Sequence, residues 1–376
     1  MRKLVVTCAF LVGALALPSA AAADTFAVTT TADPAGGSCA PGGCSLRQAV
    51  QAANDNGPGD DVIKLRKGNY ALTRGQLAIT SGLSLIGTGS RRTIIDPSPS
   101  PGQNRALDIS SPTPITVTVS SLMITKGDLT GADGGGIFLE SPASTLNLDR
   151  VSLYYNEAFN GAGVRADGTL NISRSTFFAN HALGVAMGSG PALAFRLAGR
   201  GSIVNSTFVA NHGPNRGGAI DYSPSVANTL SILNSTIADN HADSSGGGIA
   251  AVGRGTVVLR NTIIARNTIN RRRDRGRKGP NCVGRIRSAG HNLEGPAPGN
   301  RLQSTGGRSC PLHARGDRRG REPLLTRTQD NGGPTDTREP LRHSPAINHA
   351  TRCPRIDQRG VRRGRRCDIG AVEFTR

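Results

Sequence analysis

Tryptophan is absent from this chain, methionine occurs three times, and aromatic side chains make up 3% of its 376 residues. Large rings can supply only a small share of any core, so the interior must be built mainly from aliphatic and small side chains. Long apolar runs are also missing, apart from residues 4–17. That run follows Arg2 and Lys3, is shorter than the roughly 20 residues of a membrane span, and leads into small residues at 19–23. This is the order of a secretory signal peptide, with cleavage expected after Ala23. No membrane-spanning segment is predicted downstream, so the mature protein is expected to be secreted or held at the cell surface.

Cysteine is scarce. Removing the signal leaves Cys39, Cys44, Cys282, Cys310, Cys353 and Cys367, an even set in a chain bound for an oxidising compartment. Six cysteines allow ~15 pairings, but these fall into three local couples, which predicts Cys39 with Cys44, Cys282 with Cys310 and Cys353 with Cys367. The spacings of a Cys-x-x-Cys or His-x-x-x-His zinc site are lacking, which disfavours structural zinc on these thiols. Acidic residues are short in the last third. From Arg266 onward 25 Arg and one Lys face 10 Asp and Glu, while the earlier part is close to neutral. Such a tail suits an acidic partner, unless it is only a solvated surface shaped by arginine-rich codon usage.

What the chain does have is repetition. One segment recurs at 150–156 (RVSLYYN), 174–180 (RSTFFAN), 205–211 (NSTFVAN), 234–240 (NSTIADN) and 261–267 (NTIIARN), its final Asn returning after 24, 31, 29 and 27 residues. A second element keeps step with it at 134–137 (GGGI), 161–164 (GAGV), 190–193 (GPAL), 217–220 (GGAI) and 246–249 (GGGI). Between them lie short alternating runs rich in β-branched residues, with no helical pattern of useful length. Strands without crossover helices, repeating at this period, bury their apolar side by stacking copies about 4.8 Å apart. The expectation is an all-β fold, a right-handed parallel β-helix. Asn156, Asn180, Asn211, Asn240 and Asn267 are expected at left-handed turn positions, forming an amide ladder, and the glycines at tight bends.

A solenoid must cap its apolar ends. Ser45 and Gln48 form a capping box, and Leu46, Ala49, Val50 and Ala53 share one helical face, so residues 45–54 predict a short amphipathic capping helix. The expected organisation is a signal peptide (1–23), an N-terminal cap (24–60), the β-helix (61–269) and a basic, disulfide-bridged C-terminal region (270–376), in which an imperfect continuation of the helix is the alternative.

The stretch CSLRQAVQAAN at 44–54 resembles exported bacterial proteins named for a Cys-Ser-Leu-Arg-Glu-Ala motif, with Gln48 in place of their Glu. The ending NGGPTDT at 331–337, SPAIN at 344–348, DQRGV at 357–361 and CDIGAVE at 367–373 resembles their choice-of-anchor domain, with Asn348 where that pattern has Asp. The resemblance implies a pectin-lyase-like β-helix and export, and it implies no particular reaction.

A glycosidase needs two carboxylates roughly 5 to 9.5 Å apart. Neither the residues before the ladder Asn (Tyr155, Ala179, Ala210, Asp239, Arg266) nor those after the second element (Phe138, Arg165, Ala194, Asp221, Ala250) put carboxylates on neighbouring coils. A lyase would need a base and a neutralised uronate, with Arg165, Asp221 and Asp239 as the nearest catalytic candidates and calcium as the cofactor. No residue gains a catalytic assignment on these grounds. A noncatalytic monomer that binds acidic polysaccharide or a cell-surface component is favoured, a polysaccharide lyase or glycoside hydrolase being the alternative. The residues after the ladder Asn include His181, His212 and His241, three imidazoles that could share a metal ion. RRRDRGRK at 271–278 suggests nucleic acid, but export and the lack of nearby aromatics disfavour it. The RGD at 315–317 and the glycosylation sequons at Asn171, Asn205 and Asn234 are short enough to arise by chance or from the repeat.

Overall fold

The computed structural model describes residues 23–40, 42–57, 59–102, 104–184, 190–270, 281–296 and 310–375. Residues 1–22, which carry the expected signal peptide, and the basic run 271–278 lie outside the described residues.

The chain folds as a right-handed parallel β-helix closed at its N-terminal end by the helix Leu46–Asp55. Its strands stack into four parallel sheets of ten, ten, six and eight strands. Sheet I runs from Thr25–Ala27 to Ile286–Ser288, and sheet II from Gly68–Ala71 to Arg318–Arg319. Sheet III consists of two-residue strands from Asp128–Leu129 to Thr268–Ile269, and sheet IV runs from Leu77–Ile79 to Cys282–Gly284. The β-helix thus reaches past both expected boundaries. Thr25–Ala27 already pairs with Asp61–Lys64 in what reads as a cap, and sheets I, II and IV continue beyond residue 269.

The interior follows from the period of two within each strand. Leu148, Ile172, Ile203, Ile232 and Leu259 occupy one register column of sheet I and are all buried. Phe177, Phe208, Ile237 and Ile264 do the same in sheet II, with the two phenyl rings stacked at 4.7 Å. Each such side chain removed from water contributes about 1.5–3 kcal/mol.

The asparagine ladder lies inside the coil. Nδ2 donates to the next Oδ1 along Asn156, Asn180, Asn211, Asn240 and Asn267 at 2.9, 2.9, 2.8 and 2.9 Å, and Asn267 passes the chain to Asn281 at 3.1 Å. The left-handed backbone is not at these asparagines, which corrects the expectation. It falls one residue earlier, at Tyr155, Ala179, Ala210, Asp239 and Arg266, with φ between 51° and 58°. A side chain at positive φ costs of the order of 1–2 kcal/mol. The corner is nevertheless imposed, because it turns the following amide inward, where it meets donors and acceptors on both neighbouring coils. The first glycine of each second element (Gly134, Gly161, Gly190, Gly217, Gly246) also has positive φ, from 42° to 74°. A Cβ on Gly163 would stand 2.5 Å from the Ala192 carbonyl oxygen of the next coil.

Beyond the last coil, residues 323–375 turn back as a strap along the outer face of sheet II. Gln358 is its keystone: Nε2 donates to Thr176 Oγ1 at 2.8 Å and to Ser175 O at 3.1 Å, while Oε1 accepts from Thr207 Oγ1 at 2.6 Å. Ala371 N donates to Thr236 Oγ1 at 3.1 Å, and Gly370 N to Asn261 O at 2.8 Å. A second small core forms between Ala238, Ile263 and Ala265 of sheet II and Leu325, Ala346 and Ile369 of the strap. Disulfides join Cys39 to Cys44, Cys282 to Cys310 and Cys353 to Cys367, the last within the strap.

Candidate functional site

The residues singled out for catalysis do not converge. Arg165 and Asp221 face outward from sheet IV in one column, separated by Ala194 and hence by two coil spacings, about 10 Å. Both are already engaged. Arg165 pairs with Asp133 and, at 2.7 Å, with Asp167. Asp221 is fully buried and holds Arg196 at 2.8 Å and Ser223 Oγ at 2.6 Å. Asp239 sits at a different corner, between sheets II and III, paired with Arg266 at 3.0 Å and with Arg338. Sequence reasoning missed Asp167, whose carboxyl is pushed above its ordinary value by burial, against the pull of Arg165. The signal was there in principle, since Asp167 follows Arg165 by two.

The three histidines form a column on sheet III. His181 stacks on His212 at 4.9 Å, and His212 lies 5.0 Å from His241. Burial and the flanking imidazoles hold His212 below the ordinary imidazole value, while Asp243 pulls the other way. The short motifs resolve into structure. Asp317 of the RGD accepts from Ser288 Oγ at 2.6 Å and Asn292 N at 2.9 Å. Asn205 and Asn234 are buried and donate to strap carbonyls of Ile356 and Asp368.

Where strap and last coils meet, the sequence places something else. A cleft of about 450 Å³ is lined by Arg260, Ala289, His291, Arg315, Thr351 and Arg352. Its walls are set by backbone bonding across three layers: Asn261 N donates to Gly290 O at 3.2 Å, His291 N to Arg315 O at 3.2 Å, and Asn261 Nδ2 to Thr351 O at 2.9 Å. No carboxylate among the described residues lines the cleft. Among the described residues none of the three arginines forms an ion pair, and the Arg260 Nε is buried with no hydrogen-bond partner. A second opening of about 740 Å³ adjoins at residues 353–356 and carries the exposed Arg355 and Arg362.

No family model matches the chain, and no curated protein matches it. Among solved structures it is similar to the PL6 family alginate lyase AlyGC in two structures, one of them a mutant. Identity is 11% in both, with TM-scores of 0.28 and 0.25, covering 93% and 88% of this chain. The chain spans 58% of the length of those proteins.

The cleft thus brings three guanidiniums together with no ion-paired carboxylate among the described residues. Each offers planar paired donors to carboxylate or sulfate oxygens, and the cost of stripping water from an opposing internal carboxylate is absent. Sequence reasoning saw the surplus of arginine but not its focus, because Arg260, Arg315 and Arg352 are far apart in the chain and meet only where the last coils stack and the strap returns over them.

Proposed function

We propose that this chain is an exported, noncatalytic β-helix protein that binds acidic polysaccharide through the arginine cleft at its C-terminal end. The carrying observation is that, among the described residues, Arg260, Arg315 and Arg352 line one cleft with no carboxylate or ion pair. Arg47, Arg165, Arg174, Arg196, Arg359 and Arg363 hold carboxylates, whereas these three arginines share one cleft that offers them none. The noncatalytic part is supported by the occupation of Arg165 and Asp221 in ion pairs. Export is supported by the three disulfides, which suit an oxidising compartment. No helix among the described residues is long and apolar enough to cross a membrane.

The test is retention of the mature protein on an immobilised polyuronate and a sulfated polysaccharide, with a neutral glucan as control. Retention is expected on both acidic polymers, weakening as salt rises, because exposed charges are screened beyond about 8 Å at physiological ionic strength. The triple variant R260Q/R315Q/R352Q is expected to lose about 10- to 100-fold in affinity, at ~0.5–1 kcal/mol per contact, whereas R174Q keeps it. Equal retention of the triple variant overturns the cleft. Release of unsaturated uronate overturns the noncatalytic reading.

A further inference from the structure

The outward column of sheet III reads Asp128, Glu157, His181, His212, His241 and Thr268 in continuous register. Strands of two residues fix only this one outward position per coil. Imidazoles repeating at about 4.8 Å stack face to face at His181 and His212, while the His241 ring is tilted 37° from His212. Stacked faces alone hold no ion, because the ring nitrogens lie in the planes.

Asp243 changes the geometry. Its backbone N donates to Gly213 O of the preceding coil at 3.1 Å, which leans the residue back across His212. One Asp243 oxygen then lies 3.1 Å from His241 Nε2 and 3.9 Å from His212 Nε2. One ligand atom from each of the three residues falls within 4.8 Å of the others. The far nitrogen of His241, Nδ1, is held at 2.7 Å by Thr268 Oγ1. That fixes the ring and leaves Nε2 pointing at Asp243, as the outer partner of a metal-bound imidazole does.

We propose that His212, His241 and Asp243 bind one divalent transition ion, of the zinc class, on the outside of sheet III. Ligand atoms 2.0–2.1 Å from a tetrahedral zinc stand about 3.3 Å apart, between the two distances seen here. His212 is half-exposed and can turn to shorten the longer one. Two imidazoles and a carboxylate select zinc, copper or nickel over calcium and magnesium, which prefer oxygen. Solvent completes the coordination, since all three side chains are open to water. His181 stacks on His212 but pairs with Glu157 at 3.4 Å, and so belongs to the column and not to the site.

The experiment is titration of tag-free, full-length mature protein with Zn²⁺ by calorimetry, and with Co²⁺ alone by visible absorption. One equivalent of either ion is expected, with the intense band of low-coordinate Co²⁺. Both H241A and D243N are expected to weaken binding at least tenfold, T268V severalfold, and H181A not at all. D243N keeps the side-chain shape and decides the matter if H241A fails to fold. Absence of a saturable Co²⁺ band overturns the proposal, and so does a loss in H181A equal to that in D243N.

Discussion

Asn211 shows how completely one side chain can be used. Its Nδ2 donates to Asn240 Oδ1, Phe177 O and Val209 O, and its Oδ1 accepts both Nδ2 and the backbone N of Asn180. Asn211→Ala leaves the Asn180 backbone N and one of the two Asn180 Nδ2 hydrogens without partners inside the buried ladder. At about 1–3 kcal/mol per stranded group, a loss of roughly 3 kcal/mol in unfolding free energy is expected, measured by urea denaturation. A loss below 1 kcal/mol would mean that water enters the ladder. The ladder itself was legible from the recurrence of Asn at the coil period. Its corner was not, because Tyr155, Ala179, Ala210, Asp239 and Arg266 share no chemistry. Only the backbone they adopt unites them. Gln48 is a similar case: it keeps the capping box with Ser45 and adds a bond from Nε2 to Gly36 O at 2.8 Å, which a glutamate could not donate.

At the scale of the element, the strap is where sequence and structure part most. The repeat predicts strands with one wet face, yet Thr207, Val209, Thr236, Ala238 and Ala265 are all buried on the face that looks outward. The clue was their lack of charge, which marks a strand covered on both sides. What covers it could not be read, because the strap has few regular elements and so no periodicity. Its motifs serve to fold it: Asp357 accepts from Arg359 N at 2.8 Å, Val361 N at 2.9 Å and Glu373 N at 2.9 Å.

Asp368 makes the strap pH-sensitive. Burial, outweighing two backbone donors, pushes its carboxyl up to about 6, against 3.8 for an ordinary Asp. The folded state therefore holds this proton more tightly than the unfolded chain does. Its contribution is fully present below about pH 4 and is lost as pH rises through 6, a change on the order of 3 kcal/mol. Asp368→Asn removes the ionisation. Its urea midpoint relative to the parent is expected to rise between pH 4.5 and 7.5, whatever the offset from the lost acceptor. A constant difference would place the titration elsewhere.

For the whole molecule, the four-sheet rod carries its charge unevenly, with the surplus of arginine concentrated from Arg266 onward, toward the last turns and the strap. The rod was legible in the sequence and the cleft was not, since it depends on a return path of the chain. Truncation after Glu322 is expected to expose the second core around Ala238, Ile263 and Ala265 and to increase self-association. Light scattering at rising concentration reads this directly. A truncated chain that scatters like the full one would show that the outer face of sheet II tolerates water.

The strap also bears on how many coils the protein can have. Each ladder asparagine donates to one neighbour and accepts from the other, so a coil inserted between Asn211 and Asn240 would be accepted without a broken bond. The strap has no such freedom. Gln358 spans the coils of Thr176 and Thr207, and Ala371 N reaches the coil of Thr236, in a stretch of chain of fixed length. An extra coil would put those contacts out of step by one spacing of about 4.8 Å. The rod's repeats are indifferent to their number, and the strap is the gauge against which that number is set.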